Sequence, residues 1–491
     1  MLFDINRFHF LALLAWQFIM LFASQLIFPI FGNYVPEWRC GDSSEPGKDC
    51  DEYRRCGGNV TYITESPFAS AAIEFGWVCD GARWATLFSQ CQFVGVLCGT
   101  LSFGALSDIV GRRPVAAVAL GTGLTLSLIS SRLSSLVSLL ATRFVVGICI
   151  GGTLVVGCTL VMEMLLPPQR MALRGFFNWG AARLMITVVC YLTGEWRAAQ
   201  VACAALAAPA LLIIIFVLPE SPAWLHCKGR VDDMRKSEQT IARRAGVPYV
   251  AEERGAVTKA QGVCHLLRSP SGRSRIGVLW CMWFTASLCG YAVDLNSSTL
   301  SGNLYINQAL FSILIWISKV ILVAVDASSA TFSRRLLHQG AQAGAVACFG
   351  LLTLLTIIGY EGVAVLVVNL MGIVFVEYTW DACYLCAIES METATRASAS
   401  GSCSLVARIG ASLAPSLAFM NETWPASVYS VAMVLGTANL VISYFLLVET
   451  KGINLGTVCI DADSVEMVKR GGDHALASQQ TPLTAKEENG N

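Results

Sequence analysis

Apolar runs of about twenty residues recur along the chain, each long enough for a helix to cross the hydrocarbon of a bilayer. Twelve are predicted, at about 11–31, 85–106, 114–131, 136–162, 175–193, 199–218, 275–293, 305–325, 340–359, 363–385, 398–419 and 427–447. Longer polar stretches follow the first run (32–83), the sixth (219–274) and the last (448–491). The pattern predicts an all-α membrane protein of twelve transmembrane helices in two six-helix bundles. Residues 1–10 form the N-terminus, 11–218 the first bundle with its outer loop 32–83, and 219–274 a linker. Residues 275–447 form the second bundle and 448–491 a tail. The first run is too long for a signal peptide and reads as an anchor. The linker mixes acids and bases and predicts amphipathic helices on the inner membrane surface; the polar tail predicts disorder.

Basic residues set the orientation. With both termini cytoplasmic, the short inner loops hold Arg112, Arg113, Arg170, Arg174, Arg334, Arg335 and Arg396, while the short outer loops hold little beyond Arg132 and Arg197. The loop 32–83 then lies outside. It carries Cys40, Cys50, Cys56 and Cys79, which predict two disulfides with three connectivities open. Asn59 heads a sequon there and is a candidate for glycosylation. Together these features predict the secretory route to the plasma membrane.

One stretch, Gly104 to Pro114, places Asp108, Gly111, Arg112 and Arg113 between the second and third runs. Charges so near hydrocarbon are costly unless paired or at the water boundary. Gly111 frees the backbone to turn, and Pro114 suits the first turn of the next helix. The second half echoes this set. Asp326, Arg334 and Arg335 match Asp108, Arg112 and Arg113; Glu389 and Arg396 match Glu163 and Arg170; Glu449 matches Glu220. The offset is about 220–230 residues each time, the mark of a parallel internal repeat. These residues are predicted to form cytoplasmic charge networks that hold the outward-open state and break on the inward swing.

Composition narrows the function. Charged residues are 14% of the 491, where soluble domains carry about a quarter, and 55% are hydrophobic. The formal net charge of zero gives no reason for a nucleic-acid partner. No glycine-rich phosphate loop with lysine and no metal-ligand cluster is visible, and the five histidines are scattered. The expectation is a carrier driven by gradients: not an enzyme, with no ATP, cofactor or metal.

Charges inside the runs point to the substrate. Lys319 lies in the eighth and Arg408 in the eleventh, where insertion costs about 2.5–3.5 kcal/mol each. If both face one cavity, the two cations attract an organic anion, and the planar fork of Arg408 matches a carboxylate. Asp294, near the outer end of the seventh run, is the counter-evidence: paired with Lys319 or Arg408 it would neutralise one of them, and a carnitine-like zwitterion would then fit better. Tyr291, Tyr305, Trp316 and Tyr378 are candidates to stack on an aromatic substrate. Arg143 and Arg183 are read as structural, and Gly147, Gly151, Gly152 and Gly157 as helix-packing residues. Proton coupling has less support, because Asp294 is the main carboxylate placed inside the second-half runs.

The chain resembles solute carrier family 22, the organic ion transporters of the major facilitator superfamily. The resemblance rests on the cysteine-bearing loop, Glu74 to Asp80, the Gly104 to Pro114 stretch, Glu195 to Gln200, Pro219 to Leu225, Ser301 to Asn307, Val406 to Gly410 and Glu449 to Gly452. It implies two bundles around a central site that opens alternately to each side. Anion carriers of the family have a similar lysine and arginine at Lys319 and Arg408; its cation carriers have an aspartate in place of Arg408. The resemblance further implies exchange of an outer organic anion for an inner dicarboxylate. Two departures stand out. No glycine precedes Arg334, where Ser328, Ser329, Thr331 and Ser333 fill an apparent insertion, and Glu392 stands where the family motif has a proline. They motivate two further readings: a non-transporting receptor or regulator on this fold, and an organic cation or zwitterion carrier.

Overall fold

The computed structural model describes residues 5–40, 47, 50–56, 60–63, 67–251, 262–300, 302–328, 332–360, 362–392 and 394–450. Asn59, Ser329, Thr331 and the tail from 451 onward lie outside the described residues. The twelve apolar runs are helices. They are α1 (Arg7–Gly32), α2 (Ala82–Val110), α3 (Arg112–Ser130), α4 (Leu136–Met164), α5 (Trp179–Thr193) and α6 (Trp196–Phe216). The second half holds α7 (Pro270–Asn296), α8 (Leu304–Ser328), α9 (Arg334–Ile357), α10 (Val363–Glu389), α11 (Arg396–Met420) and α12 (Ser427–Leu446). Eleven are long and apolar enough to cross a membrane. The exception, α5, has 15 residues, about 22 Å. Asn178 caps its start by accepting the Ala181 N–H, and Gly194, with φ +66°, ends it.

Small residues set how closely the helices pack. In α2 and α4, a Cβ at Gly95 or Gly99 would stand 2.1 or 2.0 Å from the Phe144 or Ile148 carbonyl oxygen. A Cβ at Gly147 or Gly151 would meet the Gln92 or Val96 carbonyl at 2.2 or 2.3 Å. Backbones pressed this close gain the dispersion that a bilayer cannot supply. Gly152 precedes and Gly157 ends a π-helical turn in α4, Thr153–Gly157, which carries Leu154. In the second half, α7 packs on α11, and α9 packs on α10 and α12. The halves meet where α2 touches α11, where α5 touches α8, and where the short helix Pro167–Phe176 also touches α8.

The loop after α1 is not featureless. Strands β1 (Glu37–Arg39) and β2 (Thr61–Ile63) pair antiparallel, and the bonded cysteines are Cys40 with Cys56 and Cys50 with Cys79. Its last segment is tied to the α5–α6 turn, where Ala69 donates its N–H to the Gly194 oxygen and accepts from Trp196. Glu74 accepts from Trp196 Nε1 at 2.6 Å and from Arg197. Those hydrogen bonds, the Arg197 one foremost, hold the Glu74 carboxyl below the usual carboxylate range. This end of the molecule is called the disulfide side below, and the end carrying Asp108 the motif side.

Candidate functional site

A cavity of about 220 Å³ lies between the halves. Leu26 of α1, Leu154 of α4 and Trp179 of α5 line it from the first half. From the second, Tyr291 and Asp294 come from α7, Lys319 from α8, Glu377 and Asp381 from α10, and Arg408 from α11. Three rings form one wall: Trp283 lies 4.5 Å from Tyr384 and 5.6 Å from Trp380, centroid to centroid. Only Tyr291 of the four aromatic candidates lines the cavity. Tyr305 is buried toward the disulfide side, against Phe31, Phe68 and Tyr191, with its hydroxyl donating to the Pro67 oxygen at 3.2 Å. Trp316 is 37% exposed on α8, and its backbone rather than its ring meets Gly180. Tyr378 bonds the Ser318 carbonyl at 3.3 Å.

The charges are arranged differently from the expectation of two free cations. The Lys319 ammonium donates to Glu377 Oε2 at 2.9 Å, Asp381 Oδ2 at 2.7 Å and the Glu377 carbonyl at 3.0 Å. An ammonium has three N–H groups, so none is left for a substrate. Asp294 pairs with neither Lys319 nor Arg408. Arg183 of α5 holds it at 2.5 Å across the halves and also donates to Gln308 at 2.7 Å. The guanidinium of Arg183 is buried and lies 5.5 Å from the Phe311 ring.

Arg408 differs from these. It lies beside Tyr291, with Tyr384 and Cys158 close by. It makes no ion pair among the described residues, and its buried Nε has no partner. Around the cavity, counting Arg183, three cations face three carboxylates, and the sum is neutral.

Glu377 and Asp381 escape a reading by long apolar runs because single acids at i and i+4 barely lower the mean hydropathy of Val363–Glu389. Their spacing was the available signal. It puts both carboxylates on one helix face, toward the lysine of α8.

On the motif side the two repeats build matching clusters. Arg112 pairs with Asp108 at 2.6 Å and with the Ser107 hydroxyl at 2.8 Å. Glu220 accepts the backbone N–H groups of Arg112 at 3.0 Å, Arg113 at 3.2 Å and Ser221 at 2.9 Å, satisfying donors that a helix start leaves open. Gly111 sits at φ +126°, and a Cβ there would lie 2.5 Å from Glu220 Oε2. In the second half, Arg334 pairs with Asp326 at 2.5 Å and Glu389 at 3.2 Å. Glu449 accepts from the Arg334, Arg335 and Thr450 N–H groups at 2.9, 3.1 and 3.0 Å. The side chains of Arg113 and Arg335 donate to carbonyls at the ends of α6 and α12.

Arg170 and Arg396 donate to backbone carbonyls, Leu165 at 3.2 Å and Ile388 at 2.7 Å. Glu163 lies near Ser221 and Arg112. Each cluster closes within its own half. The halves themselves are bonded toward the disulfide side, through Arg183 and Tyr305.

Comparison with known proteins places this architecture. Residues 56–459 match the model of the sugar (and other) transporter family. An uncharacterised Caenorhabditis elegans protein is 36% identical over 93% of this chain and 94% of its own. Rat solute carrier family 22 member 7 is 30% identical over 73% of this chain and 69% of its own. Human solute carrier family 22 member 16 is 27% identical over 84% and 73%. The Escherichia coli xylose transporter XylE in its inward-open form superposes with a TM-score of 0.61 over 93% of this chain and 99% of its own, at 15% identity, a likeness of fold. The chain therefore belongs to the sugar (and other) transporter family, and its relatives place it in solute carrier family 22 of the major facilitator superfamily.

Proposed function

We propose that this secondary transporter carries a small organic carboxylate by alternating access, with Arg408 as its anchor. The observation that carries the reading is the Arg408 guanidinium, which has no carboxylate partner among the described residues, in a cavity whose other charges are paired. A carboxylate there takes a bidentate, charge-assisted bond, and the Trp283–Trp380–Tyr384 wall suits an aromatic or aliphatic body. The loop 32–83 faces outside, the clusters of Asp108 and Asp326 face the cytoplasm, and the membrane is the plasma membrane. In that orientation the Arg183 and Tyr305 contacts close the outer end. The two clusters fasten helices within each bundle, so that each rocks as a unit. The matching second cluster favours a working carrier over a non-transporting relative.

Obligate exchange against a dicarboxylate has less behind it, because a neutral empty cavity is not electrostatically barred from returning. A zwitterion is the second reading. Glu377 and Asp381 carry one negative charge more than Lys319 balances, a place for an ammonium group.

The test is paired uptake in cells: a labelled aromatic carboxylate, a labelled zwitterionic amine and a labelled quaternary ammonium, each with wild type and Arg408→Asp. Carboxylate uptake abolished by the variant is the expected result. Ammonium uptake by wild type without carboxylate uptake refutes it.

A further inference from the structure

We propose that the end of α6 on the motif side binds the headgroup of an anionic phospholipid, held by Arg113 and Arg244. The last four carbonyls of a helix have no partner within it. In α6 these are the carbonyls of Ile214, Ile215, Phe216 and Val217, since Ile213 accepts from the Val217 and Leu218 N–H groups. Arg113, in the first turn of α3, donates through Nε to Ile214 at 3.2 Å and through Nη2 to Ile215. Arg244, in the linker helix Val231–Ala245, donates through Nη2 to Phe216 at 3.0 Å and through Nη1 to Val217. Two segments far apart in the chain thus bring their guanidiniums to one helix end.

Capping does not use up these charges. A helix C-terminus presents about half a negative charge, and the two guanidiniums bring two positive ones. Each has five N–H groups and spends two on carbonyls, which leaves three. Neither makes an ion pair among the described residues. The carboxylates nearby have other partners. Asp108 holds Arg112, Asp233 holds Arg230 and Lys236, and Glu238 accepts from the Tyr249 hydroxyl. Glu163 lies near Arg112 and Ser221, and Glu220 takes the backbone N–H groups that open α3, that of Arg113 among them.

The surroundings suit a lipid. Phe216 is 69% exposed on α6 and Val118 60% exposed on α3, with Leu212 and Ile215 also exposed, and Val247 is exposed just past the linker helix. Four consecutive carbonyls cover about one helical turn, ~5.4 Å, so one headgroup can reach both arginines. Its phosphate takes charge-assisted bonds from their free N–H groups while its acyl chains lie along Leu212 and Phe216. A phosphatidylcholine carries its own cation beside the phosphate, so the site selects a headgroup of net negative charge. In the orientation proposed above this end meets the cytoplasmic leaflet, where anionic lipids reside. Bound there, the lipid joins α3, α6 and the linker helix. The repeat offers an internal comparison: at the end of α12, Arg335 donates to the Tyr444 carbonyl, and no second arginine joins it among the described residues.

The experiment uses the full chain in nanodiscs of phosphatidylcholine, with a trace of photoreactive phosphatidylglycerol or the matching photoreactive phosphatidylcholine, and maps the labelled peptides. Each arginine should give about fivefold preference for the anionic lipid, so the α6 end should prefer it by about thirtyfold and the α12 end by about fivefold. Arg244→Gln should lower the α6 preference to about fivefold, and Arg113→Gln/Arg244→Gln to about one. Arg113→Lys/Arg244→Lys keeps the charges and should keep most of the preference; each variant is first checked for a monodisperse peak. Equal labelling by the two lipids at the α6 end overturns the site, as does a full preference in folded Arg244→Gln. Loss of preference in the folded lysine pair assigns the arginines to capping alone and overturns the headgroup role. Displacement of the label by soluble glycerol 3-phosphate makes the ligand a free phosphate and overturns the lipid.

Discussion

Removing Lys319 separates a paired lysine from a substrate-binding one. In Lys319→Ala, Glu377 and Asp381 lose their shared partner at once, and the Glu377 carbonyl loses its donor. Stripping one partner from a buried ion pair costs about 3–5 kcal/mol, and two carboxylates with side chains 14–15% exposed sit in that range. Arg408→Ala orphans no carboxylate, so its cost is expected near about 1 kcal/mol. The two variants should therefore part: both lose uptake, but only Lys319→Ala melts well below wild type. The triple variant Lys319→Ala/Glu377→Gln/Asp381→Asn removes the orphaned charges and should recover most of the loss. The assay heats tagged protein in detergent and follows the fraction that stays monodisperse. Unfolding of such proteins is commonly irreversible, so the order of apparent melting temperatures is the readout. Lys319→Ala melting with wild type, or Arg408→Ala falling as far, would refute the pairing argument.

Asp294→Asn breaks the bond between the halves at Arg183, and impermeant thiol labelling of a Gly290→Cys reporter in the cavity should rise several-fold from the disulfide side. The charge swap Arg183→Asp/Asp294→Arg should reverse this, and unchanged labelling counts against a closure role. Gly111→Ala forces a side chain into φ +126° and against Glu220, so surface level should drop sharply, while Gly104→Ala, 3.7 Å from Val155, should be tolerated. Equal surface levels would sink the turn argument. Glu74 titrates below its unfolded value, so its contribution to stability is present above about pH 4.5 and is lost as pH falls through the lower folded value. Wild type should lose more apparent melting temperature than Glu74→Gln between pH 5 and 3; parallel curves would refute the link.

Much of the fold was legible because a bilayer demands long apolar helices, and these declare themselves by length. The repeat was legible because charged residues at membrane boundaries are sparse enough to register by offset. The site was legible only in part. Lys319 and Arg408 stood out as cations in apolar runs, but what neutralises a cation is decided by which helix faces it. Glu377 and Asp381 lie about sixty residues from Lys319 and belong to the same helix-spacing pattern that packing residues use. Arg183 and Asp294 sit in different halves, so no local pattern joins them. Tyr305 flanked the polar run and still points away from the cavity, because stacking on Phe31 and Phe68 fixes its direction.

The missing glycine of the second repeat has a geometric answer. Asp108 and Arg112 are four residues apart, so the chain must reverse within Gly111 and needs its positive φ. Asp326 and Arg334 are eight apart, yet their side chains meet at 2.5 Å, and Ser333 opens α9 by accepting the Leu336 N–H. The pair forms all the same, across a spacing four residues longer. Glu449 then caps α9 as Glu220 caps α3, and Glu389 adds a second carboxylate to Arg334. The longer spacing therefore leaves the cluster intact. A chain losing transport would have no reason to keep the acid, both arginines and the capping glutamate in register.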